Sequence, residues 1–255
     1  MGARDRSIRF VFDTVVDSYA SGRPDMPIDS VRRAAEAVVL PPRAHVLEVG
    51  AGCGQLTWAL AEVGYEVVAL EPGEALRSRA RARVPTALFH AATFEDFEPD
   101  REFDAIFSSN AWHWIDPDVG YAKAAELGDA IVLIWDTAIA ADAELRRAIQ
   151  EDVLDPRGVG SFPIEEPDVR EFVDAEVASV CDGLTASGRF DEPLTDLLER
   201  RLNYTPERYV DLIGSMGLVA ASGRRNEILA DLRPLLGDDS FEVVDLVWTI
   251  AARAA

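Results

Sequence analysis

Short apolar runs alternate with helically spaced ones through the first half of the chain. Residues 46–49 form such a run, and Leu56, Trp58, Ala59, Leu60 and Val63 follow it at helical spacing. The alternation repeats with a strand at 66–70 and a helix at 75–83 that Pro85 stops. Residues 86–90 and 103–108 read as third and fourth strands. Asp116-Pro117 opens a helix reaching about residue 127 by N-cap chemistry, and 130–135 is a fifth strand. Continuous apolar strands separated by helices predict a parallel sheet covered on both faces.

The pattern then changes. Residues 141–154 are helical and charged, and 155–167 are loop-like, with Pro156, Gly158, Gly160, Pro163 and Pro167. Helical spacing returns at 169–180, and 197–204 reads as a sixth strand despite its polar residues. Thr205-Pro206 starts a helix carrying Tyr209, Val210 and Ile213, another helix covers 222–236, and 241–250 closes as a strand. The expectation is one α/β domain over residues 1–255, doubly wound, with a mostly parallel seven-stranded Rossmann-like sheet. A helical insertion of about 138–196 separates the fifth and sixth strands.

Composition narrows the partners. The chain has 255 residues, 48% of them hydrophobic, with a formal net charge of -21. A surface this acidic repels phosphate backbones and anionic membranes, so neither nucleic acid nor membrane is an expected partner. Cys53 and Cys181 are the two cysteines, too few for a disulfide framework, and a cytoplasmic location is expected. No apolar run is long enough to cross a membrane, and no Cys/His or carboxylate spacing suggests a metal.

The chemistry concentrates where the first strand ends. Glu48-Val49-Gly50-Ala51-Gly52-Cys53-Gly54 gives G-x-G-x-G, not the G-x-G-x-x-G of dinucleotide enzymes. Glycine lets the backbone turn sharply and lets a ligand lie against it. Open α/β sheets bind ligands at this end of their strands. Glu71 ends the second strand, where a carboxylate can accept hydrogen bonds from both ribose hydroxyls or simply favour a helix start.

Val46-Leu47-Glu48-Val49-Gly50-Ala51-Gly52-Cys53-Gly54 with Val67-Val68-Ala69-Leu70-Glu71-Pro72 resembles the cofactor site of class I S-adenosylmethionine-dependent methyltransferases. Ala92-Thr93-Phe94-Glu95-Asp96-Phe97, Phe103-Asp104 and Asn110-Ala111-Trp112-His113-Trp114-Ile115-Asp116-Pro117 resemble a bacterial subgroup of the type 11 methyltransferases akin to trans-aconitate methyltransferase. Tyr19-Ala20-Ser21-Gly22-Arg23-Pro24-Asp25-Met26-Pro27 and Asn203-Tyr204-Thr205-Pro206-Glu207-Arg208-Tyr209 are similar to the same subgroup. The resemblance is dense over 10–137 and thin over 138–195.

That resemblance implies S-adenosyl-L-methionine as cofactor, S-adenosyl-L-homocysteine as product, and a small-molecule acceptor. It implies that Glu48 supports the turn and the methionine part, that Gly50, Ala51 and Gly52 lie against that part, and that Gly54 lets the helix start close by. Glu71 would hold the ribose, Pro72 would flank the adenine, and Thr93 and Phe94 would border it. Ser109, Asn110 and Ala111 would face the amino-acid end. Tyr19 and Arg23 would come from an N-terminal flap, the arginine binding a carboxylate of cofactor or substrate. A monomer or homodimer is expected.

Two departures stand out. Relatives usually hold paired glycines before the fifth strand, where this chain has Leu127-Gly128-Asp129-Ala130, and they often end that strand with an amide where it has Trp135-Asp136. His113 is the candidate general base, because histidine titrates near neutral pH, although Trp112 and Trp114 can equally pack it in place. His45 and His90 flank strands and read as structural. Trp112, Trp135 and Phe162 are aromatic candidates for the acceptor pocket or for the core. The leading reading is methyl transfer by in-line displacement. Its rival is a protein of the same fold that binds the cofactor without methylating, such as a cyclase, an isomerase or a regulatory pseudoenzyme. A nicotinamide oxidoreductase is disfavoured by the glycine spacing.

Overall fold

The computed structural model describes residues 6–160 and 166–255. Among these residues, seven strands form one sheet in the order β3-β2-β1-β4-β5-β7-β6. The strands are β1 (His45–Val49), β2 (Glu66–Leu70), β3 (Leu88–His90), β4 (Ala105–Ser109), β5 (Ala130–Ala140), β6 (Leu194–Tyr204) and β7 (Phe241–Arg253). Pairing among β1 to β5 is parallel, while β7 runs antiparallel between β5 and β6. Order reverses between β1 and β4, which places the switch point of the sheet beside Gly50.

Alternate residues of the central strands face opposite cores. Val46, Ala69 and Phe107 pack toward α2 (Ile28–Ala37) and α3 (Gln55–Val63), while Leu47, Ile106 and Leu133 pack toward α5 (Pro117–Leu127) and α7 (Glu166–Ser187). Both faces are therefore buried, as continuous apolar strands require. The α4 helix (Glu74–Arg83) follows β2, and Ala80 within it packs into the first of these cores.

The strands after the fourth are longer than their apolar runs suggest. Parallel pairing of β5 with β4 ends at Ile134, but β5 continues to Ala140 against Val243 of β7. This antiparallel partner carries the polar residues Asp136 and Thr137 into the strand. The helical stretch between β5 and β6 is correspondingly shorter than the expected 138–196. It holds α6 (Ala143–Ala148), a π-helical turn at Ile149–Leu154, a 3₁₀ turn at Asp155–Arg157, and α7. Phe162 lies outside the described residues.

The N-terminal segment is a wall of the fold, not a loose flap. After a 3₁₀ stretch (Arg6–Val15), α1 (Val16–Gly22) lies on α8 (Pro206–Gly214). A Cβ on Gly22 would fall 2.2 Å from the Leu212 amide nitrogen, so only glycine permits this approach. The Tyr204 hydroxyl donates to the Gly22 carbonyl at 2.9 Å, and Ser18 and Ser21 donate to the Asp211 carboxylate. Two short helices, α9 (Gly217–Ala220) and α10 (Arg225–Leu235), complete this side.

Candidate cofactor site

The loop after β1 is tied to the end of β2. The Gly50 and Ala51 amides both donate to the Leu70 carbonyl at 2.9 Å. Gly50 and Gly52 have φ of 77° and 55°, in the left-handed region that favours glycine. A Cβ on Gly50 would lie 2.4 Å from the Ala111 Cβ, and one on Gly52 would press on the Tyr19 ring at 3.2 Å. Gly54 does different work. It lines no cavity wall, and its bare Cα allows α3 to pack on Ala80 of α4.

A cleft of about 740 Å³, counted out to the solvent at its mouth, opens over this loop. Tyr19, Arg23, Gly50, Gly52, Glu71, Pro72, Thr93, Phe94, Ser109, Asn110 and Ala111 all line it. An inner recess of about 330 Å³ continues from it and is lined by Glu48, Ala51, Gln55 and Asp136. The sequence-based candidates thus converge from the ends of β1, β2, β3 and β4 and from α1. Phe12, Leu76, Trp114 and Ile115 also line the cleft and were not anticipated. Phe12 sits in an apolar N-terminal run that carries no distinguishing motif.

Glu71 is the best-held side chain of the cleft. It is 6% exposed; its Oε2 accepts from the Gly52 amide at 2.9 Å and its Oε1 from the Gly73 amide at 2.8 Å. Burial raises its pKa to about 7, against the pull of the two amides. Each oxygen keeps a second acceptor site. Arg77 secures the same turn, its Nη1 donating to the carbonyls of Glu71 at 2.7 Å and Pro72 at 3.0 Å. Asp13, reaching from the N-terminal segment, accepts from the Ala75 and Leu76 amides and so caps α4.

Glu48 is buried at the recess, and burial raises its pKa to about 8. Its Oε2, the Gln55 Nε2 and the Asp136 Oδ2 are buried without hydrogen-bond partners. Unsatisfied buried polar atoms are costly, and three around one recess mark a place for a polar ligand group. Arg23 stands across from them. Its Nε donates to the Ser215 hydroxyl at 3.0 Å, and its guanidinium lies 5.4 Å from the Tyr19 ring centre. Asn110, at φ 52°, donates through Nδ2 to Asp136 Oδ1 and accepts the Asp136 amide at 3.2 Å. Asp136, expected to end the fifth strand, instead lies within β5 and is bound into the site by Asn110. The other departure is a packing matter: Gly128 leaves room for the Ile106 side chain.

Phe94 is 1% exposed, with its ring 5.6 Å from that of Trp112, and the Thr93 hydroxyl donates to Asp96 at 2.8 Å. His113 lines neither the cleft nor the recess. Its Nδ1 faces the Trp135 indole N–H at 3.4 Å and its ring lies 4.5 Å from that of Trp114. A ring accepting at Nδ1 carries its neutral-state proton on Nε2. Cys53 is buried, and burial pushes its thiol up to about 12, the behaviour of a filler and not of a nucleophile. Among the described residues no group of three His, Cys, Asp or Glu side chains could hold a metal, and no helix is long and apolar enough to cross a membrane.

Residues 46–130 match a family model described as a methyltransferase domain, spanning the glycine loop, Glu71 and the β4 end just described. Over this segment the chain is similar to methyltransferase domains. An uncharacterized methyltransferase of Mycobacterium tuberculosis is 33% identical over 137 residues, covering 52% of this chain and 54% of that protein. Another uncharacterized methyltransferase, from a Geobacillus strain, is 36% identical over 114 residues, 42% of this chain and 53% of its own. The chain thus spans about half the length of the curated relatives it matches. A solved structure of a proposed type II methyltransferase from Anaeromyxobacter dehalogenans superposes with a TM-score of 0.64 at 25% identity, over 91% of this chain and 97% of that one. That superposition reaches well beyond residues 46–130.

Proposed function

We propose that the protein transfers a methyl group from S-adenosylmethionine to a small-molecule acceptor, leaving S-adenosylhomocysteine. The observation that carries this reading is Glu71, pinned by two loop amides at the floor of a cleft that the glycines keep open. The second acceptor sites of its oxygens suit a ribose diol. The partnerless Glu48 and Asp136 oxygens suit an ammonium, and Arg23 suits a carboxylate. Ala51 and Ser109 would complete the walls around the amino-acid end, with Pro72, Thr93 and Phe94 around the base. Gly54 would act only through helix packing.

S-adenosylmethionine supplies, when bound, a methyl group already activated on positive sulfur. The protein's part is then to hold, orient and keep water out, which the Phe12, Tyr19 and Trp114 rings over the cleft favour. His113 is proposed as proton acceptor for an acceptor that is protonated at neutral pH. For that it must take the proton at Nδ1, or release Trp135 and turn over its tautomer. The net charge of -21 supports a small-molecule acceptor over nucleic acid.

Calorimetry on cofactor-stripped protein tests the reading. Micromolar or tighter binding of S-adenosylhomocysteine is expected, and its absence from folded protein would refute it. Incubation with labelled methyl donor and an acceptor library separates transfer from binding without methylation.

A further inference from the structure

A second cavity, of about 890 Å³, lies where β5 outruns β4, between α7 on one side and α8 with the π-helical turn on the other. Its lining is overwhelmingly carbon: Ala138, Ile149, Leu154, Phe172, Ile213 and Met216 make most of the wall. The polar groups on its border are already engaged elsewhere. Arg146 donates to the Ala140 and Ala141 carbonyls at 2.6 and 2.9 Å, Gln150 donates to Asp155, and the Tyr209 hydroxyl accepts the Ala140 amide at 3.1 Å. What faces the chamber from these residues is methylene stem and ring. Thr137 supplies the remaining hydroxyl.

Two further observations point to a ligand. A π turn is a rare, wide form of helix that concentrates at functional sites, and this one delivers Ile149, Gln150 and Leu154 to the chamber. The linings of the chamber and of the cofactor recess also come close along two separate segments. Asp136 lines the recess, and Ala138, next on the same face of β5, lines the chamber; Ser215 holds Arg23 of the recess and Met216 lines the chamber.

Resting on the methyltransferase reading, we propose that this chamber is the acceptor site and that the acceptor is an uncharged molecule. It has an apolar ring or chain body, to which Thr137 offers a hydroxyl. Among the described residues a charged acceptor would find no unengaged counter-charge and would lose its water on entry. An apolar wall with its polar groups already bonded favours an apolar occupant, whose transfer out of water is favourable.

The test titrates the protein saturated with S-adenosylhomocysteine with N-phenyl-1-naphthylamine, a neutral probe that brightens in apolar surroundings. One site per chain is expected. Ala138→Trp and Met216→Trp, each filling the chamber, should weaken the probe tenfold or more while leaving S-adenosylhomocysteine affinity within twofold. Neutral apolar alcohols or amines that displace the probe are then offered with labelled methyl donor, and transfer to at least one of them is expected, reduced in both variants. The proposal is overturned if no probe binds, if both variants bind it normally, if charged compounds displace it best, or if no displacing compound accepts the methyl group. Loss of S-adenosylhomocysteine binding in the unmodified protein would instead strike the cofactor reading, and the probe titration without cofactor would still decide whether the chamber takes an apolar ligand.

Discussion

Replacing Glu71 by glutamine tests the cofactor site at its most constrained point. The substitution keeps size and shape and removes one acceptor oxygen and the charge. In the native cleft the two oxygens hold the Gly52 and Gly73 amides at 2.9 and 2.8 Å. A glutamine amide group must set its own N–H against one of these, so one cradle bond is lost, about 1 kcal/mol. Ribose hydroxyls would lose a charged acceptor as well, about 1.5–3 kcal/mol. Together these come to about 2.5–4 kcal/mol, or roughly a 60- to 700-fold weaker dissociation constant. Calorimetry with S-adenosylhomocysteine and with 5′-methylthioadenosine should show the same loss for both ligands, because both carry the ribose. A pH series adds a second readout. Burial holds the free carboxyl at about 7, and ribose hydroxyls favour its charged form, so affinity should rise as pH increases through 7 in the native protein. The glutamine variant should lack that rise. Folded Glu71→Gln protein binding both ligands within threefold of native would refute the ribose assignment.

Further expectations concern the loop, the buried acids and the histidine. Gly50→Ala places a Cβ against Ala111 at a φ of 77°; left-handed strain of about 1–2 kcal/mol and overpacking of about 1–3 kcal/mol should lower the melting temperature by several degrees and sharply weaken cofactor binding. Asp245 is fully buried beside Arg200 at 2.7 Å, and burial raises its carboxyl to about 7. With its folded pKa above the unfolded value, the native state binds the extra proton. Stability should therefore fall as pH rises from about 4 to 7, and urea melts of Asp245→Asn should show a shallower fall. If His113 accepts a proton in the reaction, His113→Gln should lower kcat by roughly 10²–10⁴-fold and remove a pH limb near neutrality; unchanged kcat with altered melting would assign the ring to packing. Trp135→Phe removes the indole N–H facing Nδ1 and should shift that limb upward, because the freed nitrogen becomes easier to protonate.

Most of the strand–helix alternation was legible because buried parallel strands are continuous in apolar residues and need no partner to be recognised. The strands from β5 onward were only partly so. Thr137 and Asp136 belong to β5 because β7 pairs with them from the far end of the sequence, a contact no local pattern records. The edge strand β6 alternates between exposed and half-exposed residues, so its polar sequence hides its extent. In the site, the glycine loop and Glu71 announced themselves by spacing. Phe12 and Ser215 did not, since an aromatic in an apolar run and a serine after a helix carry no signature until the fold brings them to Trp114 and Arg23. His113 looked available from its position alone; only the three-dimensional neighbour Trp135 reveals which ring nitrogen is taken.

The close approach of α1 to α8 has a kinetic consequence. With Gly22 pressed on the Leu212 backbone and Tyr204 bonded to the Gly22 carbonyl, α1 cannot swing away without breaking a buried backbone contact. Ligand traffic then falls to side chains. The Phe12 and Trp114 rings, 6.1 Å apart at the cleft, can part by rotation about their own side-chain bonds. Such rotations are far faster than helix displacements, which take microseconds to milliseconds. Under the proposed methyl transfer, cofactor exchange at this cleft would be gated by ring rotation and not by movement of α1.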